Sequence, residues 1–405
     1  MAEHSKSNWA TDFVLLGTGL LAALATAGLS PVLPKIESAF AGTPDAAFLT
    51  KAIVTIVGIA MIVVSPLTGT IAARFGRRRV LIWSYAIFGV AGIGGGLLDS
   101  LPAIVISRFL VGGAGAAAVT LSITLIGDLY SGRARERRIG ANQAVGSLLL
   151  SGLMPISGLL GDVTWRLAFA IHLIVLPLLV SAVISPQLRQ ADPVRAAPQD
   201  RGSWPLRPLI GIATMALFAG SITFSVTVFA PFHLRDLHIP GAGVAGEMIS
   251  LTVFASVATS FGFGELRRWL SPMAVFAVAF AAWAIGFAAL AGASALPQFA
   301  LGMTVIGIGG GLVGPNVFSV AGVRGPEAAR GRNIGIVKGI YYAGAFVGPS
   351  LLQLVSQRYM AVGAILTLAL AAALLAAISL IGAIWNRTSS ISATPVAAGL
   401  DRQPY

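Results

Sequence analysis

Ionisable side chains interrupt long apolar stretches of this 405-residue chain, among them Arg108, Glu247 and Lys338. A charge inside an apolar segment is costly unless it faces a wet cavity or a counter-charge. Each therefore reads as a group that binds a charged solute or takes part in moving a proton. Arg108 stands about two turns inside its segment, where the alternative is snorkelling toward the nearer headgroups. Glu247 stands about one turn inside its segment and is the best-placed carboxylate for exchanging a proton. Lys338 stands about one turn inside another, where snorkelling and cavity lining are both open. Asp128 falls at a segment end and reads mainly as a loop or helix-end residue. Asn316, which follows Gly314-Pro315, and the pair Tyr341 and Tyr342 add hydrogen-bonding groups, as do Ser225 and Thr227.

The rest of the composition narrows what such groups can do. There is no cysteine, so disulfides, thiolate metal sites and cysteine nucleophiles are excluded. The four histidines have no metal-ligand spacing. Paired carboxylates and histidine clusters are missing from the apolar segments, which argues against an enzyme and against a bound cofactor or metal. The net charge of +12 is spread over short loops as arginines, a topology signal and not a nucleic-acid patch. With 56% hydrophobic residues, 10% charged residues and a mean hydropathy of +0.86, the chain is too apolar to fold in water. Its solvent is a lipid bilayer.

Apolar runs of spanning length fall at about 11–33, 47–68, 79–98, 102–125, 140–161, 166–184, 209–231, 243–263, 272–292, 296–321, 334–354 and 361–385, each near the ~20 residues a bilayer core demands. Without water to satisfy the backbone, these must be helices. The first run could be mistaken for a secretory signal, since Ala25-Thr26-Ala27 imitates a cleavage site. Its length and the spans that follow identify it instead as a retained helix. If the N-terminus is cytoplasmic, twenty of the twenty-seven Lys and Arg residues fall in cytoplasmic loops and tails. The exceptions are Lys35, Lys51, Arg108, Arg166, Arg235, Lys338 and Arg358. That asymmetry places both termini in the cytoplasm of a multi-pass protein of the inner (plasma) membrane.

A polar stretch with Pro186, Pro193, Pro198 and Pro205 lies at the midpoint and reads as a linker. The expected organisation is a six-helix bundle at 1–185, a cytoplasmic linker at 186–208, a second six-helix bundle at 209–385 and a tail at 386–405. The halves echo each other. Leu101-Pro102 returns as Leu296-Pro297, Gly112 as Gly307, and Gly69-Thr-Ile71 as Gly264-Glu-Leu266, all 195 residues on. Pro155 is answered by Pro349, one residue off that register. A common offset points to an internal duplication, with a solute site between the repeats.

The segment Gly69-Thr-Ile-Ala-Ala-Arg74-Phe-Gly76-Arg77-Arg78-Arg79 resembles the signature between helices 2 and 3 in the major facilitator superfamily of transporters. Gly69, Arg74, Gly76 and Arg77 match that pattern. The acidic residue usual before the first arginine is replaced by Ala73. In relatives that carboxylate braces the start of helix 11, so the resemblance implies a cytoplasmic latch that is incomplete here. Its arginines are left to bind helix C-termini or lipid phosphate. Arg108 followed by Gly112 and further small residues is similar to the family's fourth-helix pattern. Gly146, Gly152, Pro155 and Gly158, followed by Trp165-Arg166 and Phe169, look like a degenerate form of the exporter branch's fifth-helix signature. Met154 and Leu159 stand where glycines are usual. The fuller version, Gly344-x-x-x-Gly348-Pro349, is in span 11.

The resemblance implies an all-α membrane protein of twelve helices in two pseudo-symmetric bundles, driven by a proton gradient. It suggests export of a small amphipathic drug or metabolite by alternating access, with uptake of an organic anion as the alternative. Leu20 to Val32 lacks the carboxylate that many proton-coupled drug exporters carry in helix 1, which argues against polycationic drugs. The few hydrogen-bonding groups suit an amphipathic molecule better than a sugar. A monomer is expected.

Overall fold

The computed structural model describes residues 9–130, 132–190, 207–323 and 330–392, and every described element is helical. The first six membrane helices are α1 (Trp9–Ala39), α2 (Ala46–Phe75), α3 (Arg77–Leu97), α4 (Leu101–Leu129), α5 (Gly132–Val163) and α6 (Leu167–Ile184). They are followed by α7 (Ile210–Asp236), α8 (Ala242–Trp269), α9 (Pro272–Ala291) and α10 (Leu296–Val323). The last stretch, Arg330–Ser392, carries an apolar part of 53 residues. At 1.5 Å per residue that is about 80 Å, far more than one bilayer core of ~30 Å. Non-helical backbone at Tyr359 and at Met360, with φ of 58° at the latter, divides it into α11 (330–358) and α12 (361–392). Twelve crossings result.

The helices extend beyond the apolar runs. Helix α2 runs on through Arg74 to Phe75, so most of the arginine-rich signature is helical. The turn itself is a single residue, Gly76, with φ 90° and ψ 140°, a conformation that favours glycine. The end of the bundle that carries this turn is called the basic face below, and the other end the far face. Of the expected linker, Pro186–Gln190 forms a short helix and Arg207–Leu209 a 3-10 turn, while 191–206 lies outside the described residues. Residues 386–392 of the expected tail continue α12, and 393–405 again lie outside the described residues.

Helix α1 is discontinuous, passing through Trp9–Gly17, Gly19–Ala27, the 3-10 turn Ser30–Val32 and Leu33–Ala39. In lipid, backbone carbonyls near such breaks need partners within the protein. Leu15 O accepts from Ser122 Oγ at 2.9 Å and from Asn142 Nδ2 at 2.6 Å. Ala25 O accepts from Arg108 Nη2 at 2.8 Å, and Gly28 O from Ser157 Oγ at 2.6 Å. Side chains of α4 and α5 thus pin α1 along its length.

Small residues set the spacing between helices. A Cβ at Gly112 would lie 2.9 Å from Val57 Cα, so α4 presses on α2. A Cβ at Gly307 would lie 2.3 Å from Thr252 O, so α10 presses on α8. The echo between the halves therefore corresponds to one repeated packing contact. Gly220 and Gly344 bring α7 and α11 together, where a Cβ at Gly220 would meet Tyr341 O at 1.9 Å. The outer surface is apolar, with Phe261, Leu97 and Val90 each at least 75% exposed, as a lipid-facing surface requires.

The packing predicts opposite results for two similar substitutions. Gly220→Val forces α7 from α11 and is expected to lower the thermal unfolding midpoint of the detergent-solubilised protein, at a cost of about 1–3 kcal/mol or more. Gly262→Val, where a Cβ meets no atom within 4 Å, is expected to leave the midpoint nearly unchanged.

Candidate functional site

The two sets of six helices meet mainly along α2 with α11 and α5 with α8. A Cβ at Gly58 of α2 would lie 3.1 Å from Ala345 Cβ and from Tyr342 O of α11. Gly69 is eleven residues on, about three turns, and so lies on the same face of α2. A Cβ there would meet no atom within 4 Å. The second pair behaves alike. A Cβ at Gly246 of α8 would lie 2.2 Å from Met154 O of α5, whereas Gly264, on the same face five turns nearer the basic face, has open space beside it. Both crossings therefore splay toward the basic face, and a cleft opens there between the sets.

At the far face the sets are tied by charge. The Asp162 carboxylate at the end of α5 accepts from the backbone N–H of Ala242 at 2.8 Å and of Gly243 at 2.9 Å, the first residues of α8. A negative group at a helix N-terminus is stabilised by the unpaired N–H groups and the helix dipole. Lys35 Nζ holds the same carboxylate at 2.7 Å. Beside it, Glu37 of α1 accepts from Arg235 of α7 at 3.0 Å and lies 3.6 Å from Lys51 Nζ of α2. The Phe232 ring of α7 stacks beneath both cations, 4.3 Å from Lys51 Nζ and 5.0 Å from the Arg235 guanidinium. Ser250 Oγ of α8 donates to Ser151 O of α5 at 2.6 Å.

At the basic face the ionic contacts described each lie within one set, and in the second set Arg268 pairs with Glu265 along α8. Arg77 pairs with Asp128 at the end of α4, and Arg138 pairs with Asp12. Arg78 donates to the Ala182 and Val183 carbonyls at the end of α6, a cation on a helix C-terminus. Arg74 is exposed, 5.5 Å from the Phe75 ring.

The residues singled out in the sequence are scattered by the fold. Arg108 is 1% exposed and does not snorkel. Besides Ala25 O it donates from Nη1 to His172 Nε2 at 2.8 Å. His172 Nδ1 stands 2.8 Å from Phe169 O, a pure acceptor, so Nδ1 carries the proton and Nε2 accepts. Glu247 is exposed and shares a stripe of α8 with the exposed Leu251 and Phe254, which places it on the lipid side, away from Arg108. Asn316 is fully buried and donates to Pro272 O at 2.9 Å, joining α10 to the start of α9. Pro155 and Gly158 belong to the α5–α8 crossing, where a Cβ at Gly158 would lie 2.1 Å from Ala242 O. Gly348, followed by Pro349, packs on Ser221 of α7.

Lys338, Tyr341 and Tyr342 do fall together. Lys338 lies seven residues, about two turns, before Ala345 and on the same face of α11, where α2 has already splayed away. It has no hydrogen bond or ion pair among the described residues, and the rings beside it form a cluster. Tyr341 is 5.7 Å from Phe224, 5.8 Å from Phe318 and 5.9 Å from Tyr342, and its hydroxyl donates to Thr223 Oγ1 at 3.1 Å.

Sequence reasoning missed Asp162 and Glu37 as a pair of cross-links between the sets. A signal was available, because Lys35, Lys51 and Arg235 are among the few cations on the side opposite to the arginine-rich loops. Counting them for topology gave them no partners.

A family model described as Major Facilitator Superfamily matches residues 15–349. The Efflux pump dotC of Dothistroma septosporum is 31% identical over 155 residues, 38% of this chain. The match spans only 26% of that relative's own length. The 3-(3-hydroxy-phenyl)propionate transporter of Escherichia coli (strain K12) is 26% identical over 303 residues, covering 70% of this chain and 72% of that protein. The crystal structure of a D-xylose-proton symporter superposes with a TM-score of 0.75 at 17% identity, covering 92% of this chain and 97% of that one, a likeness of fold alone.

The far-face contacts carry a direct expectation. Asp162→Ala removes the acceptor at the start of α8 and leaves Lys35 with the Gly161 carbonyl alone. The chain has no cysteine of its own, so Ala245→Cys in the α5–α8 contact is a clean reporter. Its labelling by a membrane-impermeant maleimide is expected to rise several-fold when Asp162→Ala is added. An unchanged rate would mean that the glycine packing alone holds this face shut.

Proposed function

The chain belongs to the Major Facilitator Superfamily, and on that premise we propose that this secondary transporter exports a small amphipathic organic compound in exchange for protons. The observation that carries the reading is the cleft, splayed at one face and tied by charge at the other. Residues 1–185 rock against residues 209–385 about the Gly58–Ala345 and Gly246–Met154 contacts, exposing the cleft to each side in turn. The excess of arginine marks the basic face as cytoplasmic, in an inner (plasma) membrane with both termini inside. The cleft then receives solute from the cytoplasm, and one chain suffices.

The driving force is protons moving inward as solute leaves. Glu37 and Asp162 hold the two sets together through charge. When these contacts part, the far face opens and solute leaves. The interaction of a charge with a helix end is worth about 0.3–1 kcal/mol when exposed. Several such contacts suit a switch that must also open.

Uptake of an organic anion by the same movement is the second reading. It is favoured by the unpaired Lys338 and by the similarity over 70% of the chain to a protein named as a transporter of a phenylpropionate.

Solute counterflow in right-side-out and inverted vesicles separates the two. Export predicts accumulation in inverted vesicles with an acidic lumen, and uptake predicts it in right-side-out vesicles with an acidic exterior. If a proton gradient of neither sign drives accumulation, the coupling assignment fails. Arg108→Ala, which leaves Ala25 O and His172 without their donor, is expected to abolish transport with membrane insertion intact. Survival of activity would reduce Arg108 to an anchor.

A further inference from the structure

We propose that Lys338 and the rings at the apex of the cleft bind an amphipathic organic anion. Its negative group would sit on the Lys338 ammonium and its apolar body against Tyr342, Phe224 and Phe318. The inference rests on the cleft being the transport route, and it names the class of solute carried.

The other described cations inside the bundle have an answer within the chain. Lys35, Lys51, Arg77, Arg138, Arg166 and Arg235 each lie against a carboxylate. Arg108 is held by a carbonyl and an imidazole. Lys338 has neither kind of partner among the described residues. The helices that meet around it offer none within reach. No Asp or Glu occurs in Ala46–Phe75, in Leu296–Val323 or in 330–358, and the one in Ile210–Asp236 is its last residue, at the far face. Lys338 is half-buried in the cleft, and a partly desolvated ammonium with no counter-charge gains from an opposite charge brought beside it. A negative group brought in by a solute from the open end of the cleft supplies that charge.

The position of Lys338 fits an entering ligand. It lies about 12 Å along α11 from the start of that helix at the basic face, one turn short of the apex where Tyr342 reaches Gly58. Beyond it the wall is aromatic, with ring centroids 5.7–5.9 Å apart. Tyr341 already spends its hydroxyl on Thr223, so the wall offers few free hydrogen-bonding groups. A single cation followed by rings selects one negative charge followed by a flat or apolar body. A sugar would find too few polar partners, and a small inorganic anion would leave the rings unused.

Binding to the full-length protein in zwitterionic-lipid nanodiscs tests this without requiring transport or a proton gradient. The probes are 2-naphthoate, its neutral analogue naphthalene-2-carboxamide, and the cation 2-naphthylmethylammonium. Naphthoate is expected to bind at least tenfold more tightly than the amide, and the ammonium most weakly. Lys338→Met, which replaces a half-buried charge by an apolar chain of similar length and does not threaten folding, is expected to erase the preference while the amide still binds. Lys338→Arg is expected to keep the preference. Tyr342→Leu is expected to weaken acid and amide alike. Equal affinity of acid and amide, no binding of naphthoate at millimolar concentration, or a preference that survives Lys338→Met would overturn the proposal. Nanodiscs containing phosphatidylglycerol separate solute from lipid. Loss of naphthoate binding there, restored in zwitterionic lipid, would overturn the solute assignment in favour of a lipid headgroup. Failure of the vesicle counterflow would remove the transport reading but leave the binding preference intact, so the two failures are distinguishable.

Discussion

In a bilayer no water is available to satisfy a freed backbone carbonyl, and the discontinuous α1 is where this chain meets that constraint most often. Four side chains from α4 and α5 answer it: Ser122 and Asn142 at Leu15 O, Arg108 at Ala25 O, and Ser157 at Gly28 O. The consequence reaches beyond α1. Helices tied through buried donors and acceptors cannot slide without leaving those groups unpaired, at about 1–3 kcal/mol for each. Helices α1, α4 and α5 of the first set are thereby tied together. Arg166 adds to this by gripping Gly96 O, Leu98 O and Asp99 at the far end.

Between the two sets the contacts are of another kind. They are close backbone approaches at Gly58, Gly158 and Gly246, which transmit force and carry little polar bonding, and contacts of the Asp162 and Glu37 carboxylates at one face only. The resemblance to the transporter signature raised the expectation of a latch at the arginine-rich turn, weakened by Ala73. In the structure Arg77 and Arg78 spend their charge inside their own set, on Asp128 and on the end of α6. A carboxylate on a helix N-terminus exists instead at the opposite end, as Asp162 on α8. The charge that can hold the sets together therefore sits at the end away from the cleft mouth. This asymmetry is what a rocking mechanism with two states needs, because small differences in contact energy decide which state is populated.

Hydropathy made the crossings legible, including the division of the last helical stretch, since a run of that length cannot be a single span. Repetition at a fixed offset made the pairing of Gly112 with Gly307 legible as well, because packing needs of duplicated helices repeat with the sequence. Side-chain partners were not legible. Arg108 stood out as a buried charge, but nothing in its spacing pointed to Ala25 O or His172, which are 83 and 64 residues away. Glu247 stood out for the same reason and lies on the lipid-side stripe of α8, because one turn of helix decides which way a residue faces and no periodicity marks the difference in a segment apolar all round. Asn316 is legible as a hydrogen-bonding group in an apolar span, but not as the joint it makes between α9 and α10. Lys338 and the tyrosines fell together because they share one face of α11, a relation the numbering already contains.

Transport by the proposed mechanism requires the two sets to move as bodies so that one face closes as the other opens. Paired spin labels in proteoliposomes read that directly, with one pair at Ala73 and Gly335 on the basic face and another at Ser38 and Ser294 on the far face. Acidifying the side bathed by the far face is predicted to lengthen the Ser38–Ser294 distance and shorten the Ala73–Gly335 distance together. Two distances that stay fixed, or that change in the same sense, would contradict it.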